Sequence, residues 1–238
     1  FGGVRLDGTN ATIIGNRPGE FKADRNGIQR VWMDHGYWPV LTIWQYIQQT
    51  GDIEVLLRVA PFFQDGLGMR GTQRDAIQAN RSCTGTVAEH MLLEQLTAFC
   101  EAGEHGLLRL RDADWNDALD MAPQRGESGA FTSAYAGSMV LLAKMLETLQ
   151  QTGKCNSLTL PRRFEILLGE EDNWASIASR REKLNRFCTQ CIQIPDDDRI
   201  QIPLDKIVRH LDLCADTLKA IIREKAWIQT EQDGWFNS

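Results

Sequence analysis

The sequence predicts an all-α fold, from seven segments with helical hydrophobic spacing, from the lack of any convincing strand beyond short pieces, and from turn signals between neighbouring segments. Its 238 residues, 42% hydrophobic and 24% charged, suffice for one compact unit with its own core and exclude a disordered or collagenous chain.

The first 31 residues are rich in Gly, Asn, Asp and Arg and read as ordered loop or linker. From Gly36 to Thr50, Tyr37, Val40, Leu41, Trp44 and Ile47 recur at three and four, one buried stripe that Gly51 ends. Asp52 is placed to cap a second helix carrying Ile53, Leu56, Leu57 and Ala60 before Pro61 interrupts it. Residues 64 to 83 read as a polar connection. Thr86-Val-Ala-Glu89 has the spacing of a capping box and opens a helix to about Ala102, with Leu92, Leu96, Phe99 and Cys100 on its apolar face. Gly103 and Gly106 break it, and a short run Leu107–Leu110 leads into a loop. Further helices are predicted over 129–151, 161–168, 174–191 and 204–226. The last has Leu204, Ile207, Val208, Leu211, Ala215, Leu218 and Ile222 in register, with Pro203 suited to its first turn.

Charge and cysteine usage narrow the function classes. The 26 Lys and Arg against 32 Asp and Glu give a net charge of −6, so no positive field draws in a phosphate backbone, and nucleic acid is not an expected partner. No apolar run reaches membrane-helix length. The six cysteines are scattered through a chain large enough to build a core without staples, which points to a reducing, cytoplasmic setting. Cys188-Thr-Gln-Cys191 lacks the second pair of a zinc ribbon, and no metal site is expected. Gly66-Leu-Gly-Met-Arg-Gly71 follows a helix rather than a strand, so it does not read as a dinucleotide loop.

The chemistry concentrates at one loop. Asp112, Asp114, Asp117 and Asp120 crowd together with Trp115, Asn116, Arg109 and Arg111. Crowded carboxylates raise one another's pKa and an aromatic neighbour adds desolvation, so one member can stay protonated as a general acid. Trp115 offers a flat apolar face and Asn116 a donor and an acceptor, the ingredients of a carbohydrate site. The competing readings are an acidic loop balanced by its arginines, or a weak Ca²⁺ site.

Asp112-Ala-Asp-Trp-Asn-Asp117 resembles the Asp-Trp-Asn-Asp signature of glycoside hydrolase family 94, the cellobiose, chitobiose and 1,2-β-oligoglucan phosphorylases, shared with the phosphorylase-like domain of cyclic β-1,2-glucan synthases. Further blocks stand in the family's order: Asp34-His-Gly-Tyr-Trp38 with Tyr46 and Thr50-Gly-Asp52, Gly85-Thr-Val-Ala-Glu-His90, Gly103-Glu-His-Gly-Leu107 and Gly126-Glu-Ser128. The resemblance covers residues about 30 to 140; the end, Asp233-Gly-Trp-Phe-Asn237, is similar to a later family segment. It implies an (α/α)6 barrel, of which residues 1–238 form just over half as a fragment of one catalytic domain.

The resemblance assigns the general acid to Asp117 and a sugar contact to Trp115. Asp114 and Asn116 join them as substrate-binding candidates. The implied reaction is inverting phosphorolysis of a β-gluco-oligosaccharide to α-glucose 1-phosphate. It needs no cofactor and takes inorganic phosphate as co-substrate, the family's phosphate-binding residues falling past residue 238. It further implies a homodimer of the full-length protein, with contacts largely in another domain. Asp34 stands where the family shows paired acids; it reads as site-proximal, or as a helix cap or partner of Arg30. Glu127 faces the pocket or caps the following helix. An inverting hydrolase on the same barrel, or a non-catalytic carbohydrate-binding helical fragment, remain the alternatives. The tryptophans at helical spacing, Trp38 and Trp44 among them, are expected in the core.

Overall fold

The computed structural model describes residues 1–11, 13–17, 21–22, 31–63, 83–111, 124–193 and 198–236. Among the described residues six α-helices carry the fold: α1 (Tyr37–Thr50), α2 (Val87–Cys100), α3 (Gly129–Gln151), α4 (Phe164–Leu167), α5 (Ile177–Gln193) and α6 (Leu204–Lys225). Ten short strands among the same residues form five two-stranded antiparallel ribbons before, between and after them: β1 (Ile13–Ile14) with β2 (Phe21–Lys22), β3 (Val59–Pro61) with β4 (Thr84–Thr86), β5 (Leu108–Arg109) with β6 (Glu127–Ser128), β7 (Ser157–Pro161) with β8 (Arg199–Pro203), and β9 (Trp227–Gln229) with β10 (Gly234–Phe236).

The helix ends follow local chemistry. Gly51 takes φ 70° and donates its N–H to Ile47 O, a left-handed stop to α1. Thr86 Oγ1 accepts from Glu89 N at 3.1 Å to start α2, and Ser128 Oγ accepts from Phe131 N at 3.1 Å to start α3. All seven apolar positions expected on the inner face of α6 are buried there, and that face packs along α3.

Three expectations are corrected. The helix predicted from Asp52 to Ala60 is a 3-10 turn over Ile53–Leu57 followed by β3, and Asp52 makes no side-chain cap. Pro61 explains this, because its ring pushes the preceding residue out of the helical region, and Ala60 pairs with Gly85 instead. The segment 161–168 holds only the one-turn α4. Trp38 is 52% exposed rather than in the core. It and Trp44 lie six residues apart, which at about 100° per residue puts them on different faces of α1.

Helix directions follow from the links between them. Gln95 Nε2 of α2 donates to Gly36 O at the start of α1, while Val87 N, at the other end of α2, donates to Arg58 O. The β5–β6 ribbon returns the chain from the end of α2 to the start of α3, and β7–β8 brings the end of α3 to the start of α6. One end of the molecule therefore gathers the starts of α1, α3 and α5 and the ends of α2 and α6. Every residue of α2 is buried, Glu89, His90, Glu94, Gln95 and Thr97 included, as expected of a helix enclosed on all sides.

A second polar group is built on His210, buried in α6, with Lys183 of α5 and the exposed Glu170 before α5. His210 on α6 faces Glu170, with Nδ1 3.6 Å from Oε1, and its ring lies 5.1 Å from that of Trp174. Lys183 completes the surroundings, donating to Gly169 O and lying over Trp174. Burial pushes the His210 imidazole down to about 4, against the pull of Glu170. Its ordinary value is about 6.5, so from pH 6.5 down to 4 the unfolded chain binds a proton that the folded chain does not. The stabilisation of neutral His210 is whole above pH 6.5 and is lost as the pH falls through that window, by roughly 3 kcal/mol. Burial lowers His35 and His90 in the same sense. Urea denaturation at pH 7 and pH 4.5 is expected to show this loss in the wild type and a smaller one in His210→Phe.

Candidate functional site

The expected sites divide between the two groups of residues. Asp112, Asp114, Trp115, Asn116, Asp117 and Asp120 lie outside the described residues, as do Arg30 and the Gly66–Gly71 motif. Asp34, Glu127 and both ends of the acidic segment are described.

The neck of that segment is a short ladder. Leu108 pairs with Ser128 and Arg109 with Glu127, and Leu110 N donates to Gly126 O at 2.8 Å. Arg111, the last described residue before the acidic run, takes φ 62°. The end of α2 reaches the neck through Glu101, and the turn Gly103–Gly106 through Glu127. Glu101 Oε1 lies 3.4 Å from Nη1 of both Arg109 and Arg111.

Glu127 faces that turn. Its Oε1 accepts from His105 N at 2.8 Å and lies 3.4 Å from His105 Nδ1. A Cβ on Gly103 would sit 2.1 Å from Glu127 Cδ, so only glycine fits there while the carboxylate keeps this place. The helix cap expected of Glu127 is supplied by Ser128 instead. Glu127 Oε2 is buried without a hydrogen-bond partner among the described residues.

Asp34 lies at the same end, in the 3-10 turn Met33–Gly36 before α1. It does not cap α1, whose N-cap is Gly36. Its Oδ2 accepts from Trp38 Nε1 at 3.1 Å, and His35 Nε2 stands 3.9 Å from Oδ1. Burial holds His35 below its ordinary range, with Asp34 opposing. Tyr135 of α3 anchors this turn through its hydroxyl, which donates to Met33 O at 2.6 Å. Tyr135 is seven residues past Ser128, roughly 10 Å along α3, which places Asp34 and the neck at the same end of the fold.

A buried polar layer, not singled out in the sequence, supports this end. Asn10 Nδ2 donates to Glu94 Oε1 at 2.6 Å. Asp7 Oδ1 accepts from Thr9 N and Thr9 Oγ1, and Arg5 Nη1 donates to Asn10 O at 2.8 Å. Ser138 Oγ donates to Gln95 Oε1 at 2.6 Å. The readable signal for this layer was polar residues inside the apolar run 87–100, which a one-sided stripe does not accommodate.

Two of the sequence blocks are placed elsewhere. Tyr46, Thr50 and Asp52 lock the far end of α1: Tyr46 donates its hydroxyl to Asp52 Oδ2 at 2.9 Å, and Arg58 Nη2 donates to the same oxygen at 2.6 Å. Glu89 pairs with Arg199, and His90 stacks on Phe62 with ring centres 3.9 Å apart, at the start of α2. These residues build the scaffold at the opposite end. Among the described residues no cluster of His, Cys, Asp and Glu is arranged to hold a metal ion, and no helix is long and apolar enough to cross a membrane.

Comparison with known proteins agrees with the blocks. A solabiose phosphorylase of Paenibacillus borealis is 30% identical over 90 residues, 38% of this chain and 10% of its own length. A 3-O-beta-D-glucopyranosyl-beta-D-glucuronide phosphorylase of the same organism is 30% identical over 134 residues, 55% of this chain and 15% of its own length. The chain thus spans a small part of either relative. Residues 16–154, more than half of the chain and including the whole neck and acidic segment, match the catalytic domain of the glycosyl hydrolase 94 superfamily, and the chain belongs to that family.

Proposed function

We propose that the chain forms part of an (α/α)6-barrel catalytic domain that carries out inverting phosphorolysis of β-glucosides, with Asp117 as general acid. The observation that carries this reading is the convergence of the acidic segment's neck with Asp34 at one end of the helices, within a chain whose family match spans both. That the two relatives are named as phosphorylases supports phosphate rather than water as the nucleophile.

In this mechanism the protonated Asp117 carboxyl gives its proton to the glycosidic oxygen as the bond to the anomeric carbon breaks. Inorganic phosphate attacks that carbon from the opposite face, and α-glucose 1-phosphate leaves. A hydrolase would need a second carboxylate, roughly 6.5 to 9.5 Å away, as base for water. Phosphate is already anionic and needs no such base. Trp115 stacks on the apolar face of a sugar ring, while Asp114, Asn116 and Asp34 hydrogen-bond its hydroxyls. Glu127 acts from behind, holding the turn against the neck. Conserving the glycosidic bond as a sugar phosphate serves a cell only where that product is kept, which favours a cytoplasmic enzyme.

The test is phosphate release from α-glucose 1-phosphate with a panel of glucose, glucuronate and β-glucan acceptors, on the longest chain that carries these residues. Acceptor-dependent release is expected. Release that needs no acceptor, or none from a folded full-length parent, contradicts the reading.

A further inference from the structure

Two departures from local rules meet at one carboxylate. Glu101 is the C-cap of α2, where the last carbonyls leave partial negative charge and a cation is the favoured residue. It is an acid instead, and only 3% exposed. Nor is it needed to finish α2, since α5 does that: Arg180 Nε donates to Phe99 O at 2.7 Å and Arg181 Nε to Ala102 O at 2.8 Å. Arg111 takes φ 62°, a left-handed conformation that a residue with a side chain adopts at a cost and that persists where the surroundings hold it.

Glu101 touches the entering side of the neck directly and the leaving side only through Arg109. Its Oε1 pairs with Arg109 and Arg111 on the entering strand, at 3.4 Å each. Its carbonyl accepts from Arg109 N at 3.0 Å. Arg109 Nη2 then reaches across to Gln124 O on the leaving strand, at 3.1 Å. The Arg111 pairing is sheltered from solvent, so salt screens it little, while Arg109 is partly exposed.

We infer that Glu101 is a positioning residue for the acidic segment 112–123: one buried carboxylate fixes Arg109 and Arg111, and through them the residues on either side of the segment that carries Asp117. The catalytic consequence rests on the function proposed above; the structural consequence does not. Aligning a proton donor matters in the transition state more than in the ground state, so the effect falls on kcat rather than on KM.

The experiment compares Glu101→Gln, Arg111→Gly and Asp117→Asn with the wild type, in the longest chain that carries them. It uses phosphate release from α-glucose 1-phosphate and amide hydrogen exchange. Glu101→Gln keeps the side chain's shape and removes its charge. It is expected to lower kcat by about tenfold or more with KM within about threefold, and to speed exchange at 108–111 and 124–128 while α3 and α6 stay protected. Arg111→Gly accepts the left-handed angle, which offsets part of the cost of leaving Glu101 with one arginine fewer, so its thermal midpoint is expected to fall little while kcat falls as in Glu101→Gln. A purely structural arginine would lower both together. Unchanged neck exchange in Glu101→Gln overturns the clamp, as does exchange that accelerates evenly through α2, α3 and α6. Wild-type turnover in Asp117→Asn sinks the general-acid reading alone, and neck exchange still decides the clamp.

Discussion

Asp117→Asn is expected to lower turnover of unactivated β-glucosides by about 10² or more, because an amide cannot give a proton to the departing oxygen. The size of the loss should depend on the leaving group. A nitrophenyl β-glucoside, whose aglycone leaves as a stable anion, needs little protonation, so the same variant should keep most of its phosphorolysis of that substrate. Sugar binding should change little, since the carboxamide occupies the volume of the carboxyl. A uniform loss on both substrates would point to a damaged loop instead of a missing acid. Parallel kcat measurements on a disaccharide and on the nitrophenyl glucoside separate the two.

The second large effect is on stability. Arg180 is fully buried, donates to Phe99 O and Gly106 O at 2.7 and 2.8 Å, and lies 4.4 Å from the Phe99 ring centre. Burial lowers its pKa to about 10, which leaves it charged at neutral pH. Arg180→Ala strands two buried carbonyls, each costing about 1–3 kcal/mol, and opens a cavity where the stem lay. The relieved desolvation of the cation offsets part of this. A net loss of roughly 3 kcal/mol is expected, or about 6–12 °C in Tm for a chain of this size. Arg180→Met, which keeps the apolar stem, should lose less. Thermal unfolding monitored by circular dichroism checks both values.

The parts of the fold legible in the sequence are those set by local chemistry. The α6 stripe, the Thr86 cap and the Gly51 stop each depend on residues within one or two turns, and each is found where expected. The second helix failed because the sequence shows Pro61 but not the pairing of β3 with β4 across a long connection. Complete burial of α2 was hidden for a similar reason. Its polar residues find partners far along the chain, Asn10 for Glu94 and Arg199 for Glu89, and no periodicity encodes those.

The site was legible to the extent that a motif carries chemistry. Asp34 and the acidic segment were singled out from residue types and order, and Asp34 and the segment's neck lie at the same end of the helices. Glu101 was not, because an acid at the end of a helix reads as ordinary surface until Arg109 and Arg111 are seen to share it. Glu127 was read as pocket-facing or capping; Ser128 supplies the cap, and the turn whose glycine leaves room for the Glu127 carboxylate has no local signal in the sequence.

The most direct test of phosphorolysis with inversion is proton NMR of the first product formed from a β-linked glucosyl disaccharide in phosphate buffer. Inverting phosphorolysis gives α-glucose 1-phosphate, with its axial anomeric linkage, together with the free acceptor sugar. Free glucose as the first product, or β-glucose 1-phosphate, would contradict it.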